Sequence, residues 1–428
     1  MSAGAGRVGR TAGETTPVRP TVILGVGGGI AAYKACELLR LLTETGHDVR
    51  VVPTAAALEF VGAATFEALS GHPVHTGVFH DVEQVPHVRL GQRAHLVVVA
   101  PATADLLARA AQGRADDLLT ATLLTARCPV LMAPAMHTEM WEHQATVDNV
   151  ALLRARGTVV VQPASGRLTG TDSGPGRLPD PGELAALATL LLERPDALPR
   201  DLVGRHVVVS AGGTREPLDP VRFLGNRSSG KQGYAVARVA AQRGARVTLV
   251  SGHVAGLAAP AAVEVVGVGT TEELRVAVHT AARSADAVVM AAAVADFRPS
   301  TTAPSKIKKG TDEPTAVTLT RNPDVLAELV AARGRGELPE RQVLVGFAAE
   351  TGDGAGDVLH HARAKLAGKG CDLLVVNAVG DGGAFEVDTN TGWLLSATGS
   401  ELVLEHGSKA LLASRVLDAV AAQLNRRG

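Results

Sequence analysis

With 428 residues, 46% of them hydrophobic and 20% charged, the chain is long enough for two or three globular domains with a sizeable core. Its 42 basic residues against 43 acidic ones, with 3% aromatics, exclude a polybasic nucleic-acid surface and a base-stacking platform. Three scattered cysteines (Cys36, Cys128, Cys371) exclude a disulfide framework and a cysteine-rich zinc site, and the longest apolar run, Leu184–Leu192, is far too short to cross a membrane.

Residues 1–20 lack an apolar core of the kind a signal peptide needs, so they read as a disordered tail and the cytoplasm is the expected compartment. Strands are then expected at Thr21–Val26, Asp48–Pro53, His95–Ala100, Pro129–Ala133 and Thr158–Val161. Helical patterns fall at Ile30–Thr43, Ala102–Ala111, Thr138–Arg156 and Gly182–Glu193. The stretch ERPDALPRDLVG reads as a linker over 194–204, separating a domain at 21–193 from a second at 205–428. The alternation then restarts: strands at His206–Ser210, Arg246–Ser251, Ala262–Val268, Ala287–Ala291, Gln342–Gly346 and Leu373–Asn377. Helices are expected at Lys231–Arg243, Thr271–Arg283, Pro323–Ala332, Asp357–Gly368 and Lys409–Asn425, with a hairpin at Phe385–Ser396 turning on Asn390-Thr391-Gly392. Strands alternating with helices imply parallel sheets, so the fold class is α/β, two tandem doubly wound Rossmann-like domains.

Neither half reads as a dinucleotide domain. In Gly27-Gly28-Gly29-Ile30 an isoleucine stands where the third fingerprint glycine belongs, and the strands ending at Pro53 and Ser251 carry no acid for a ribose hydroxyl. Gly225–Lys231 has P-loop spacing, but Gln232 replaces the hydroxyl residue that would hold Mg²⁺. A zinc site from His72, His75 and His80 has neither a cysteine nor a paired histidine on one helix face.

Three Gly- and Pro-rich segments at strand ends, GGGIAAYK (27–34), APATAD running on to GRADDL (100–118) and APAMHTEMW (133–141), join Pro86-His87-Val88 in a pattern that resembles the flavin-dependent cysteine decarboxylases, phosphopantothenoylcysteine decarboxylase above all. That resemblance implies FMN held by Gly27, Gly28, Gly29, Ile30, Thr54, Ala100 and Thr103, with His87 as the essential proton-moving group and Met136 and His137 at the substrate. Two positions depart from the pattern. His137 replaces the usual carboxylate-anchoring Asn, and the flap GRLTGTDSGPGR (166–177) has Gly170 where the family has a proton-donating Cys.

The second half is organised around AGGTREPLDPVRFLGNRSSGKQGY (211–234), an irregular stretch following a β-branched run. With MAAAVADFR, KIKK, RNPDVL and FAAET it resembles phosphopantothenate–cysteine ligase of the CTP-using bacterial type. KIKK alone would be a solvated charge run; its place after AVAD gives it weight. The resemblance implies Asn226 as the group that captures an acyl-cytidylate, and Gly212, Gly213, Ser228, Ser229 and Lys231 at substrate or phosphate. It assigns CTP to Met290, Ala291, Ala292, Asp296, Lys306, Pro323, Asp324, Val325, Leu326, Phe347, Lys365 and Lys369, with Mg²⁺ on unassigned ligands.

Together the halves imply an enzyme of coenzyme A synthesis that joins 4′-phosphopantothenate to L-cysteine with CTP and then decarboxylates the product with FMN. The alternative is an active ligase whose flavin half serves as a binding or regulatory module. Small molecules, neither nucleic acid nor membrane, are the expected partners. Flavin-half trimers combined with ligase-half dimers would give a homo-oligomer, a dodecamer.

Overall fold

Two parallel-stranded sheets, each built on β-branched runs that bury both faces, carry the chain. The computed structural model describes residues 19–74, 86–168, 173–308, 316–350, 358–378 and 389–427. The first sheet has five strands in the order Asp48–Pro53, Thr21–Val26, Leu96–Ala102, Val130–Pro134, Val159–Val160, all parallel. The second has eight, ordered Val263–Gly267, Arg246–Ser251, His206–Ala211, Ala287–Met290, Val343–Glu350, Leu373–Ala378, Thr389–Ser396, Glu401–Ser408, and only the last two pairings are antiparallel. Strand order reverses between Thr21–Val26 and Leu96–Ala102 in one sheet, and between His206–Ala211 and Ala287–Met290 in the other. Crevices beyond the carboxyl ends of such strands are where open α/β sheets take ligands.

The two sheets share a core. Alternate residues leave opposite faces of each strand, so Val22, Leu24, Val207 and Val209 join one apolar cluster while Ile23 and Val208 belong to two others. The shared cluster continues through helices Tyr33–Glu44, Pro181–Glu193, Lys231–Gln242 and Lys409–Arg427. Between the sheets, segment 194–204 is packed down: Ala197 and Leu202 are fully buried. Arg243, also fully buried, donates from Nε to Asp201 at 2.9 Å and from Nη1 to Asp418 at 2.9 Å, and Arg194 reaches Asp418 at 2.6 Å.

Three local differences from the sequence expectation have physical causes. The single helix expected over 138–156 is two, broken at His143, whose backbone is extended and whose Nδ1 accepts from Ala145 N to cap Gln144–Ala155. Helices Ala63–Ser70, Pro86–Arg93 and Leu118–Thr125 were not anticipated; the last, LLTATLLT, has no polar face to give it a period. Asn390-Thr391-Gly392 is not a turn but lies inside a strand, with a register shift there, because the chain reverses at Ala397–Gly399, where Gly399 supplies φ +91°.

Candidate functional sites at the two switch points

Beyond strands Thr21–Val26 and Leu96–Ala102 opens a cavity of about 1040 Å³. Its floor needs glycine. A Cβ on Gly28 would lie 2.4 Å from Ala56 Cβ, and one on Gly27 2.5 Å from the Pro101 carbonyl, to which Gly27 N already donates at 3.0 Å. Thr54 and Thr103 line it as helix caps, their hydroxyl oxygens each accepting a backbone N–H at 3.2 Å, from Ala57 and Leu106. Each hydroxyl keeps its proton for a ligand oxygen.

The opposite wall is Met136 and His137. A hairpin of Ala164–Arg167 with Ser173–Arg177 clamps this wall: Gly176 O accepts from Met136 N at 2.9 Å, and Thr138 Oγ1 donates to Pro175 O at 2.8 Å. Gly170 lies outside the described residues.

Arg109 and Asp117, which no sequence signal singles out, also line the cavity. Arg109 donates to Asp117 at 2.8 Å and to Asp116 at 3.0 Å. Burial alone would lower the Arg109 pKa, but those two carboxylates raise it, and the Arg109 bond in turn holds Asp116 below the usual carboxylate range. Asp117 also caps Leu118–Thr125 through Thr120.

Ala100 is buried beneath this cavity, and Gly27 supports its floor rather than lining it. His87 sits on helix Pro86–Arg93, not on the cavity wall; its carbonyl accepts from Thr125 Oγ1 at 2.8 Å, and its Nδ1 is buried without a partner among the described residues. His72 is engaged with Asp48 at 2.6 Å, whereas His75 and His80 lie outside the described residues.

In the second half, the loop after His206–Ala211 inserts between two neighbouring strand-end loops. Gly212 takes φ +79° and accepts from Ala293 N at 2.8 Å; Gly213 O accepts from His253 N at 2.9 Å. Asn226 Nδ2 donates to Val294 O at 2.9 Å. A cavity of about 430 Å³ is lined by Gly213, Asn226, Ser228, Ser229 and Lys231. An adjoining one of about 150 Å³ shares Ser228 and Ser229 and adds Ala291, Ala292, Phe347, Asn377, Asn390 and Lys409.

A buried polar network braces this loop from below. Glu216 accepts from Thr271 N at 2.9 Å and from its Oγ1 at 2.7 Å, Thr214 Oγ1 accepts from Ala295 N at 2.9 Å, and Asn322 Nδ2 donates to Ala295 O at 2.8 Å. Buried polar groups this well paired hold one geometry. Sequence reasoning missed Glu216, Thr271 and Asn390.

The remaining nucleotide candidates stand apart. Met290, Asp296, Lys306, Pro323–Leu326, Lys365 and Lys369 line neither of these two cavities. The KIKK arm is clipped by Asp219, which accepts from Ile307 N at 3.2 Å and from Arg222 Nε at 2.9 Å. The Arg222 guanidinium and three backbone amides hold the Asp219 carboxyl far below the usual range. Asp324 caps helix Val325–Gly334 and pairs with Lys369, which outweighs burial and lowers its pKa. Lys306 and Asp296 are exposed, and Lys309 lies outside the described residues.

Known proteins resemble this arrangement in both halves. The family model described as DNA/pantothenate metabolism flavoprotein C-terminal domain matches residues 202–424, and the flavoprotein model matches residues 11–191. The coenzyme A biosynthesis bifunctional protein CoaBC of Mycolicibacterium smegmatis is 70% identical over 406 residues, 95% of this chain and 98% of that one. That of Bacillus subtilis is 41% identical over 410 residues, with coverage of 95% and 98%. Among solved structures, a CoaBC C-terminal domain aligns at 33% identity over 53% of this chain and 99% of its own, with a TM-score of 0.43.

Proposed function

The chain belongs to the family of coenzyme A biosynthesis bifunctional (CoaBC) proteins, and from that premise we propose that it catalyses two consecutive reactions. In the second half the carboxylate of 4′-phosphopantothenate attacks the α-phosphorus of CTP and pyrophosphate leaves. The amine of L-cysteine then attacks the acyl-cytidylate, losing a proton to water, and CMP departs. In the first half the carboxylate derived from cysteine is lost as carbon dioxide, giving 4′-phosphopantetheine.

The observation that carries this reading is the gathering of Gly213, Asn226, Ser228, Ser229 and Lys231 around one cavity at the second switch point. Asn226, held through Nδ2, presents its amide to the reacting carbonyl. Ser228, Ser229 and Lys231 supply donors to phosphate oxygens, where charge builds as the α-phosphorus is attacked. Asp296, Lys306, Asp324 and Lys369 are assigned to the CTP side of the same reaction. Among the described residues no group of three His, Cys, Asp or Glu could hold a metal ion. Mg²⁺ is assigned to the CTP phosphates, and no step is routed through it.

The first-half cavity fits FMN by its volume, its glycine floor and its two proton-donating hydroxyls. Gly28, Gly29, Ile30, Thr54 and Thr103 would hold the cofactor, which supplies a reversible two-electron oxidation that makes the carboxylate labile. His137 orients that carboxylate and, with Met136, shapes the substrate side. His87 moves the proton, and because it lies off the wall of its own protomer, the reading has it reach the cavity through self-association of flavin halves. Ile30 and Tyr33, 74% and 62% exposed on the cavity rim, support such an interface, as do exposed Phe223 and Phe297 for pairing of the ligase halves. A dodecamer in the cytoplasm completes the proposal.

The test is direct. Purified protein should be yellow, convert CTP to CMP only with 4′-phosphopantothenate and cysteine, and release carbon dioxide from phosphopantothenoylcysteine. Flavin without carbon dioxide release would make the first half a binding module. Absence of cysteine-dependent CMP formation would sink the ligase assignment.

A further inference from the structure

A fourth cavity, of about 290 Å³, lies away from both sites, where the halves meet. Arg154 and Thr158 contribute from the first half, Asp196 and Arg200 from the connecting segment, and Gln242 from the last turn of helix Lys231–Gln242. We propose that this cavity is an anion-binding site whose ligand is a phosphate, free or as a phosphomonoester, gripped by Arg154, Arg200 and the Gln242 side-chain amide.

The two guanidinium groups face one space, and among the described residues neither forms a salt bridge. Arg154 spends Nε and one Nη on the Val160 carbonyl, at 3.2 and 2.7 Å, which aims the fork without neutralising it. Arg200 lies against Gly244, where a Cβ would come within 3.2 Å of its Nη2, so the glycine makes room for the cation. Asp196, the acid on the wall, is already bound to Arg194 at 2.9 Å. Like charges so placed repel unless an anion sits between them, and planar guanidinium forks match phosphate oxygens.

Gln242 is the independent sign. It is 4% exposed, and its Oε1 accepts from Gln162 N at 2.9 Å, which settles the orientation of the amide. Nε2 is then a buried donor with no partner among the described residues, in a wall that carries two cations. An unpaired buried donor costs about 1–3 kcal/mol, and an anion at this wall would remove that penalty. Burial, with Arg200 opposite, brings the Arg154 pKa down to about 10, and burial lowers that of Arg200. Any anion here touches elements that lead to both sites: Gln242 ends the helix that begins at Lys231, and Val160 pairs with Met132, four residues before Met136.

Titration calorimetry of the full chain with inorganic phosphate, and separately with glycerol 3-phosphate, tests the site. Among the described residues the Arg200 side chain makes no hydrogen bond, so Arg200→Gln should keep the wild-type melting temperature while weakening one phosphate site at least tenfold. Gln242→Glu keeps the acceptor for Gln162 and turns a carboxylate toward the arginines. It should abolish the same site and raise the melting temperature in phosphate-free buffer. Binding of inorganic phosphate alone marks a free-anion site, and tighter binding of the ester marks a metabolite site. Unchanged phosphate binding in both variants, or loss of the only site in Lys231→Gln instead, would overturn the proposal.

Discussion

The two switch-point sites are built by opposite means. The first is one deep cavity whose walls come from strand-end turns: Thr54 and Thr103 cap their own helices, and the Gly176 carbonyl of the neighbouring hairpin braces Met136. The second is a pair of smaller cavities hung on a single irregular stretch, with cationic groups on arms beyond it. Capped turns and a bracing hairpin around one space make the first site a preformed vessel, suited to a group that stays bound. Long-range bonds, such as Asn226 to Val294 and Asp219 to Ile307, tie the second together across 68 and 88 residues, as befits a site that gathers substrates.

The strongest way to break the contrast is to remove what both halves share. Arg243→Met takes a fully buried cation from between Asp201 and Asp418, leaving Asp201 without its partner and Asp418 with Arg194 alone. Destabilisation of about 3–5 kcal/mol is expected, read by chemical denaturation, with flavin release and loss of ligation at the same midpoint. Separate midpoints would show that the cores are independent. Asn226→Ala tests the second site alone: ligation should fall on the order of a hundredfold or more while decarboxylation of supplied phosphopantothenoylcysteine stays at the wild-type rate. Gly28→Val tests the first alone. Its side chain has no space beside Ala56, so flavin content, measured by absorbance, should drop about tenfold or more with ligation retained.

The smallest effect comes with pH. Burial lowers the His206 pKa below its ordinary 6.5, the ring lying between Thr248 Oγ1 and Ser284 O. The unfolded chain therefore takes up a proton at pH values where the folded ring stays neutral. Stability from this group is present above 6.5 and is lost as pH falls through the lowered value. Denaturation of the second half at about pH 7.5 and about pH 5.5 should show that decline, and His206→Gln should flatten it.

Much of this was legible in the sequence, for a physical reason. Central strands such as Thr21–Val26 and Arg246–Ser251 have observed bounds equal to those expected, because β-branched runs buried on both faces leave no other option. The glycines at 27–29 and 212–213 announced backbone that must approach something closely. What stayed hidden depends on distance in the chain. Nothing near Arg243 reveals that Asp201 and Asp418 will enclose it, and the Asn-Thr-Gly of 390–392 carries turn chemistry that tertiary pairing overrides. The location of His87 off the cavity wall was equally beyond a motif, since a motif names a residue without placing it in space.

The packed segment between the halves has a consequence for traffic. A flexible tether would let one half swing toward the other and hand over its product, as carrier domains do. Here any swing would first have to extract Leu202 and Ala197 and part Arg194 and Arg243 from Asp418. On the proposed reading, phosphopantothenoylcysteine must therefore leave one mouth and enter another through solvent, so an added trap for it should intercept the intermediate between the two reactions.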